Sequence, residues 1–289
     1  MKYIATLVGN RFERGLSESV VAQAHADWQG GNISWLAPGL AAAFPVAEKT
    51  GVDAFARAHR IDAAILPAAH QRKRLLVADM DSTIIGCECI DEIADFAGVK
   101  SEIAGITERA MRGELVFEDA LRQRVALLKG FPVEKLARVF AERVRINPGA
   151  ATLVRTMAAH GAVTALVSGG FTFFTSRVAN DAGFQLNFAN VLLDDGAGLT
   201  GKVQEPILGR EAKRATLMSL AQGHGIALVD TLALGDGAND LAMIEAAGLG
   251  IAYKAKPVLE EKAAAAIRFT DLTAALYFQG YRAGEFAAV

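Results

Sequence analysis

The chain has 289 residues, enough for one large domain or two modest ones. Hydrophobic residues make up 52% and charged residues 21%, which is typical of a globular protein and excludes a disordered one. The 30 basic and 32 acidic residues give a formal net charge of −2, so no broad basic surface for nucleic acid is expected. Without an apolar run near the roughly 20 residues that span a bilayer, we expect a cytoplasmic protein with no membrane partner.

The first 70 residues predict a small α/β domain. A strand over Tyr3–Val8 and a helix over residues 17–26 are followed by a helix over residues 52–58 and a strand over residues 61–66. These residues contain no catalytic constellation. The basic run at residues 71–74 predicts a solvated linker to a second domain that covers residues 74–289.

The second domain is predicted to begin with a buried strand over Leu75–Ala78. An α-helical cap inserted at about residues 88–146 follows, and strands then alternate with helices. This alternation predicts an α/β fold with a Rossmann-like, doubly wound parallel sheet. The expected cap helices cover residues 89–97, 101–111, 117–129 and 133–143. The later expected elements are helices at 147–161, 172–182, 211–222 and 241–247, strands at 162–167 and 231–234, and a β-hairpin at 188–193 and 199–204.

Three predicted strand ends carry polar groups, and ligands bind at the carboxyl ends of strands in open parallel sheets. Asp79 and Asp81 follow the first strand, although Asp, Ser and Thr also favour ordinary turns. The second strand ends at Ser168-Gly169-Gly170, and the third is followed by Asp236, Asn239 and Asp240, while Lys213 begins the helix between them.

This set of residue types meets the needs of phosphoryl transfer. Asp79 would attack phosphorus and form an aspartyl-phosphate, and Asp81 would act as general acid and then general base. Asp79 and Asp236 would bind Mg²⁺. Ser168, Lys213 and the backbone amides of Gly169 and Gly170 would hold the equatorial oxygens, where negative charge is spread.

The D-x-D-S-T, strand-Ser-Gly-Gly, helix-borne lysine and G-D-G-x-N-D patterns resemble the haloacid dehalogenase superfamily across roughly residues 74 to 270. The resemblance implies metal coordination by Asp79, the backbone carbonyl of Asp81 and Asp236, with support from Asp240. An aspartate two residues after the proposed nucleophile, here Asp81, resembles the phosphatase branch of the superfamily. The superfamily also contains ion-pumping ATPases, which the absence of expected membrane spans excludes.

Residues 79–94 and 117–124 further resemble the phosphoserine phosphatase family. The resemblance implies that Glu88 pairs with the substrate ammonium, that Phe117 lies beside the substrate and that Arg124 binds its carboxylate. Asn239 would orient the phosphate or the attacking water. Without the resemblance, Glu88 could be an acid at a helix N-terminus, Arg124 a solvated arginine and Asn239 a helix cap. Arg122 should point elsewhere on its helix.

The expected activity is Mg²⁺-dependent hydrolysis of O-phospho-L-serine, the last step of L-serine biosynthesis. Three alternatives remain open: a phosphotransferase to an alcohol such as homoserine, a phosphatase for another small phosphomonoester, and a non-catalytic sensor of serine or phosphoserine. The N-terminal region is weakly similar to an amino-acid-binding (ACT-like) regulatory module. We interpret Cys87 and Cys89 as small packing residues and not as a redox switch. Whether the protein is a homodimer is left open.

Overall fold

A computed structural model describes residues 2–289 and shows two main sheets. The N-terminal sheet is antiparallel, with the strand order β2-β3-β1-β4. The sequence pattern predicts neither β2 nor β3, because the small residues 41–43 of β3 are all buried and give no alternation of polar and apolar positions. Its elements are β1 (Tyr3–Val8), α1 (Glu18–Asp27), β2 (Ser34–Ala37), β3 (Ala41–Val46), α2 (Val52–His59) and β4 (Asp62–Pro67).

Each face of this antiparallel sheet is covered. Helices α1 and α2 bury one face around Trp28, Phe44 and Phe55. The opposite face contributes Val8 and Leu66 to the large core that also contains the C-terminal helix α12 (Ala274–Phe278). The N-terminal sheet therefore lies against the rest of the protein through an apolar face.

The basic run at residues 71–74 is not the solvated linker that the sequence predicts. Lys73 is buried, and its Nζ donates to the carbonyl oxygens of His70 at 2.6 Å and Val229 at 2.7 Å. Arg72 is exposed but stacks over Tyr281 at 4.2 Å from the ring centroid. A lysine can be buried when backbone carbonyls accept its protons, which composition alone does not reveal.

The second sheet has six parallel strands in the order β12-β11-β10-β5-β6-β7. Its central strand β5 (Leu75–Ala78) pairs with β6 (Val163–Phe171) on one side and β10 (Thr231–Gly235) on the other. Strand β7 (Leu186–Asn190) lies at one edge, and β11 (Leu249–Tyr253) and β12 (Ala265–Ile267) complete the other side. The parallel sheet confirms the predicted fold class, while β11 and the alanine-rich β12 form from residues for which the sequence analysis gives no element.

Helices cover both faces of this parallel sheet, and four more helices lie over its carboxyl edge. The latter group, which we call the cap helices, comprises α3 (Cys89–Ala97), α4 (Lys100–Met111), α5 (Phe117–Ala126) and α6 (Val133–Arg143). The remaining helices are α7 (Ala150–Ala159), α8 (Thr172–Ala182), α9 (Arg210–Gly223), α10 (Leu241–Ala246) and α11 (Pro257–Glu260).

The predicted hairpin is shorter than expected. Its strands are β8 (Leu192–Asp194) and β9 (Leu199–Val203), whereas residues 188–190 belong to β7 and pair in parallel with β6. The hairpin joins the cap, because Gly130 N donates to Leu199 O at 2.7 Å and Leu199 N donates to Phe131 O at 2.9 Å. Among residues 2–289, none of the helices combines the length and apolar character needed to cross a membrane.

The two sheets are also linked by hydrogen bonds where edge strands β4 and β12 approach each other. Asp62 at the start of β4 is fully buried, and its carboxylate accepts hydrogen bonds from the backbone N–H groups of residues 268, 269 and 270. The Thr270 hydroxyl donates to the same carboxylate at 2.6 Å. One N-terminal side chain thus supplies the acceptors for a whole turn of the C-terminal segment.

Candidate functional site

The carboxyl edge of the parallel sheet brings together the side chains that the sequence places at three strand ends. Asp79 follows β5 directly and leads into a tight turn over Met80–Ile84. Within this turn Ser82 has φ of +56°, a left-handed conformation that is uncommon for a residue with a side chain. The turn sends Asp81 back toward β6 rather than away from the sheet.

Asp79, Lys213 and Asp240 form a buried ion-pair group. The Nζ of Lys213 lies 2.7 Å from Asp79 Oδ1 and 2.6 Å from Asp240 Oδ1, and the three residues are between 0% and 4% exposed. Burial alone would lower the pKa of Lys213, but the two carboxylates outweigh burial and raise it. Lys213 is therefore a fixed cation at the floor of the site.

Asp240 is oriented by the loop that follows β10. Its Oδ2 accepts hydrogen bonds from the backbone N–H groups of Asp236 and Gly237, both at 3.1 Å. A Cβ atom at Gly235 would lie 2.5 Å from the Asp240 carboxylate, so only glycine lets this side chain fold back on its own loop.

Asp79, Asp236 and Asp240 could hold a metal ion, since they offer carboxylate oxygens that all lie within 4.8 Å of one another. Burial is the largest cause that raises the pKa of Asp79 and of Asp236, and the Asp240 charge raises both further. Three carboxylates face one lysine, so the group carries excess negative charge. An all-oxygen donor set of this charge fits a hard divalent cation.

Asp81 connects the first strand end to the second. Its Oδ1 accepts from Cys89 N at 2.9 Å, and its Oδ2 accepts from the Ser168 hydroxyl at 3.1 Å. Burial raises the pKa of Asp81, against the opposing effect of these hydrogen bonds. A raised pKa favours the protonated carboxyl, the form that a general acid needs.

The Ser168-Gly169-Gly170 segment forms a compact loop beside Asp81. The Ser168 hydroxyl accepts from Gly170 N at 2.8 Å. A Cβ atom at Gly170 would lie 3.0 Å from both Asp81 Oδ2 and Ser168 Oγ, and one at Gly169 would lie 3.0 Å from the ring of Phe117. Because the two glycines have no side chains, Asp81 can approach the loop at Gly170 and the cap residue Phe117 can approach it at Gly169.

Glu88 lies at the start of the first cap helix and contacts the turn after β5. Its Oε1 accepts from the Ser82 hydroxyl at 2.6 Å. Although the residue remains accessible to solvent, desolvation of its carboxylate and then repulsion from Asp81 raise its pKa to about 7. Among residues 2–289 Glu88 forms no salt bridge, and its carboxylate accepts a side-chain hydrogen bond from Ser82.

Arg124 is a half-buried cation on cap helix α5. Its Nε donates to Ala120 O at 3.2 Å, and across the described part of the chain its guanidinium forms no salt bridge. Burial lowers its pKa, while the charges of Asp91 and Glu88 act in the opposite direction. Arg122 is exposed on another side of the helix and pairs with Asp119 and Glu205, as its helical position predicts.

Asn239 lies in the loop after β10 and is exposed. Its side chain makes no hydrogen bond within the described residues, and the helix that follows has no side-chain cap. Its Oδ1 lies 2.4 Å from where a Cβ atom of Gly237 would be. The geometry therefore leaves the amide of Asn239 free to bind a ligand.

Two further residues near the site are absent from the sequence-based set. Asp91 acts electrostatically on both Arg124 and Glu88. Asn190 is buried at the carboxyl end of β7 and hydrogen-bonds to the Gly169 carbonyl. A polar residue at the end of an apolar strand could have identified Asn190. The sequence analysis instead assigns residues 188–193 to a hairpin and not to the parallel sheet.

The profile of haloacid dehalogenase-like hydrolases matches residues 76–245, which includes all the strand-end residues above. The chain belongs to the haloacid dehalogenase-like hydrolase family. Within this family, it is 49% identical over 199 residues to a phosphoserine phosphatase from Polaromonas sp. strain JS666, covering 67% of this chain and 84% of that protein. It is 45% identical over 203 residues to a phosphoserine phosphatase from Archaeoglobus fulgidus, covering 70% of this chain and 59% of the relative.

The fold is also similar to the crystal structure of a probable phosphoserine phosphatase from Vibrio cholerae in unliganded form. The TM-score is 0.80 at 32% sequence identity, and the match covers 98% of this chain and 88% of that one. The similarity therefore extends over nearly the whole length of this chain, including its first 70 residues.

Proposed function

We propose that this protein is a Mg²⁺-dependent phosphatase that hydrolyses O-phospho-L-serine to L-serine and phosphate, the last step of L-serine biosynthesis. The proposal draws on its phosphoserine phosphatase relatives and on the chemistry of the site. The observation that carries the substrate assignment is Arg124, a half-buried cation without an ion-pair partner among residues 2–289, which lies close enough to the acid Glu88 for their charges to interact.

A phosphorylated amino acid matches these two charges. Its carboxylate can take a bidentate pair of hydrogen bonds from the Arg124 guanidinium, and its ammonium can pair with Glu88. The Phe117 ring lies next to Gly169, so it would lie beside a substrate whose phosphate is held by the glycine loop. A simple alcohol phosphate would leave both charges unpaired, which costs binding energy.

Asp79 is the proposed nucleophile. Lys213 and the Met80 N–H both bind its Oδ1, and within the described residues its Oδ2 accepts no hydrogen bond. One oxygen is thus fixed while the other is available to attack phosphorus and form a phosphoaspartate. Lys213, Ser168 and the glycine amides would stabilise the charge that develops on the equatorial oxygens.

Asp81 is the proposed general acid and base. In its protonated form it would give its proton to the leaving serine oxygen, and the resulting carboxylate would take a proton from the water that hydrolyses the phosphoaspartate. Asn239 would orient the phosphate or this water. Asp79, Asp236 and the Asp81 carbonyl would hold Mg²⁺, with Asp240 in support, and the bound ion would neutralise phosphate charge as a Lewis acid.

The deciding experiment measures phosphate release from L-phosphoserine and from glycerol phosphate, with Mg²⁺ or with EDTA. The wild type should prefer L-phosphoserine and need Mg²⁺, and Asp79→Asn should be inactive on both substrates. Arg124→Ala should lose L-phosphoserine hydrolysis and keep weak glycerol phosphate hydrolysis. If the wild type hydrolyses glycerol phosphate at the same rate as L-phosphoserine, the substrate assignment is wrong.

Added homoserine separates hydrolysis from transfer. A phosphatase should release the same amount of inorganic phosphate with or without this alcohol. Formation of phosphohomoserine at the expense of phosphate would instead establish a phosphotransferase.

A further inference from the structure

The Ser168-Gly169-Gly170 loop interrupts the hydrogen-bond ladder between two strands. Strand β6 pairs in register with β7 from Ala165 to Val167, and the register then shifts before Phe171 pairs with Asn190. The intervening residues therefore lack regular ladder partners, as in a β-bulge. Two of them are glycines, which do not fix their own backbone conformation. Hydrogen bonds from side chains must therefore hold the loop in place.

Asn190 occupies the position to do so. It is 3% exposed, and its Nδ2 donates to Gly169 O at 2.9 Å. Its Nδ2 also lies 3.3 Å from Leu208 O, and its Oδ1 accepts from Leu208 N at 2.7 Å. The NH₂ group and the oxygen of this buried amide are therefore both hydrogen-bonded, and they connect the glycine loop with the segment at Leu208.

The hydrogen bond to Gly169 O has a consequence for the next backbone N–H. The Gly169 carbonyl and the Gly170 N–H belong to one planar trans peptide, in which C=O and N–H point in opposite directions. Because Asn190 holds the carbonyl on its side, the N–H is turned the other way, where it meets Ser168 Oγ at 2.8 Å. Asn190 therefore sets the direction of the N–H that holds the Ser168 hydroxyl, which in turn donates to Asp81.

The second pair of contacts extends this effect to Lys213. Leu208 lies shortly before helix α9 (Arg210–Gly223), which carries Lys213. One side chain thus ties the glycine loop to the segment that starts the lysine helix. Donors aimed at developing charge are effective only when they are held in place beforehand.

We infer that Asn190 is a positioning residue for phosphoryl transfer, acting through the Gly169–Gly170 peptide and the start of helix α9. It touches neither the substrate nor the reacting atoms. Its effect should fall on the transition state of the phosphoryl group and not on recognition of the amino acid. The inference deepens the proposed function, on which it rests for the role of the glycine loop.

The test compares Asn190→Asp with Asn187→Asp. Both positions lie on β7, but Asn187 is exposed, and among residues 2–289 its side chain accepts a hydrogen bond from Thr175 alone. Asn190→Asp keeps the acceptor for Leu208 N and cannot donate to Gly169 O. With one donor misdirected, kcat should fall by about 10- to 100-fold, below the loss for removal of an oxyanion donor. Asn187→Asp should stay within twofold of wild type.

The readouts are chosen to separate positioning from general structural damage. In Asn190→Asp, kcat should fall in parallel for L-phosphoserine and p-nitrophenyl phosphate, with KM for L-phosphoserine within about threefold of wild type. Inhibition by orthovanadate, which mimics the trigonal bipyramidal transition state, should weaken in proportion to kcat. Inhibition by L-serine should not change.

Two results would overturn the inference: a folded Asn190→Asp variant with wild-type kcat, or a loss of kcat while orthovanadate inhibition is unchanged. Asn190→Ala, which adds no charge, gives the same comparison if the aspartate variant does not fold. p-Nitrophenyl phosphate tests Asn190 even if L-phosphoserine is not the substrate, so failure of the proposed function and failure of this inference are distinguishable.

Discussion

The site has a floor, formed by Asp79, Lys213 and Asp240 at the edge of the parallel sheet, and a roof, formed by Glu88 and Arg124 of the cap. The two parts differ in how their charges are balanced. On the floor, Lys213 lies within 2.7 Å of Asp79 and Asp240, and all three side chains are buried. On the roof, Arg124 and Glu88 are charged groups without an ion pair among residues 2–289. Removing a partner from a buried pair leaves an uncompensated charge, whereas a group facing a cleft can be solvated until a ligand arrives.

The difference separates two tasks. The floor keeps its geometry without a ligand, which suits groups that must be aligned on phosphorus before reaction. The roof keeps its charges unmatched, which makes it selective for a ligand that carries the opposite pair. Changes on the floor should therefore affect both chemistry and stability, and changes on the roof should affect substrate choice alone.

The largest effect is expected from Lys213→Met. It leaves Asp79 and Asp240 buried without their cation, so the free energy of unfolding should fall by about 3 kcal/mol. Activity on L-phosphoserine and p-nitrophenyl phosphate should fall together, by roughly 10²-fold or more, because a donor to the equatorial oxygens is lost. Urea unfolding and steady-state kinetics measure the two effects.

Lys213→Arg is the matched control for charge, since it keeps the cation and changes its shape. It should recover part of the stability without recovering full activity. If Lys213→Met were as stable as the wild type, the floor would not depend on its ion pairs and the contrast with the roof would fail.

An intermediate effect is expected from Arg124→Lys. A lysine keeps the charge but cannot form the bidentate pair with a carboxylate, so kcat/KM for L-phosphoserine should fall by about tenfold or more. Hydrolysis of p-nitrophenyl phosphate and the midpoint of thermal unfolding should stay unchanged. Arg122→Lys, two residues away on the exposed side of the same helix, is the matched control and should behave as wild type. Equal losses on both substrates would place Arg124 in the chemistry instead of recognition.

The smallest effect is expected from the ionisation of Glu88. Its pKa is raised to about 7, so the carboxylate becomes protonated as the pH falls below that value and can no longer pair with the substrate ammonium. Binding of L-phosphoserine should weaken by up to about tenfold per pH unit there, and a bound cation near Asp81 should shift the onset to lower pH by offsetting the Asp81 charge. Titration calorimetry on Asp79→Asn measures this dependence.

Glu88→Gln gives the reference for that titration. It should bind L-phosphoserine weakly at every pH and lose the Glu88 component of the profile. A profile that is the same in both proteins would assign the pH dependence to another group.

The parallel fold was predictable because buried strands, polar strand ends and helices alternate in regular order. The same order placed Asp79, Asp81, Ser168, Lys213 and Asp236 at one edge, where the structure has them. Their chemical roles and the division into domains at residues 1–70 and 74–289 stay predictions, as do Mg²⁺ as the ion, a cytoplasmic location, a homodimer and a regulatory N-terminal region.

The errors arose where tertiary contacts outweigh local pattern. Lys73 is in a charged run, yet it is buried and its ammonium donates to the nearby His70 carbonyl and to the distant Val229 carbonyl. Strand β3 carries small residues buried from both sides, and β12 is an alanine-rich edge, so neither shows the alternation that identifies a strand. Asn190 was missed because residues 188–190 read as half of a hairpin, and only the parallel pairing with β6 reveals their place.

The Asp62 carboxylate bears on how such a chain can gain or lose its N-terminal part in evolution. Every side chain of the site lies beyond residue 78, so a protein lacking the first 70 residues would still contain all the site residues. It would also leave the backbone N–H groups of residues 268–270 without their acceptor, at about 1–3 kcal/mol for each donor that stays buried and unsatisfied. A homologue without the antiparallel sheet would therefore need either water or other acceptors for this distant C-terminal turn.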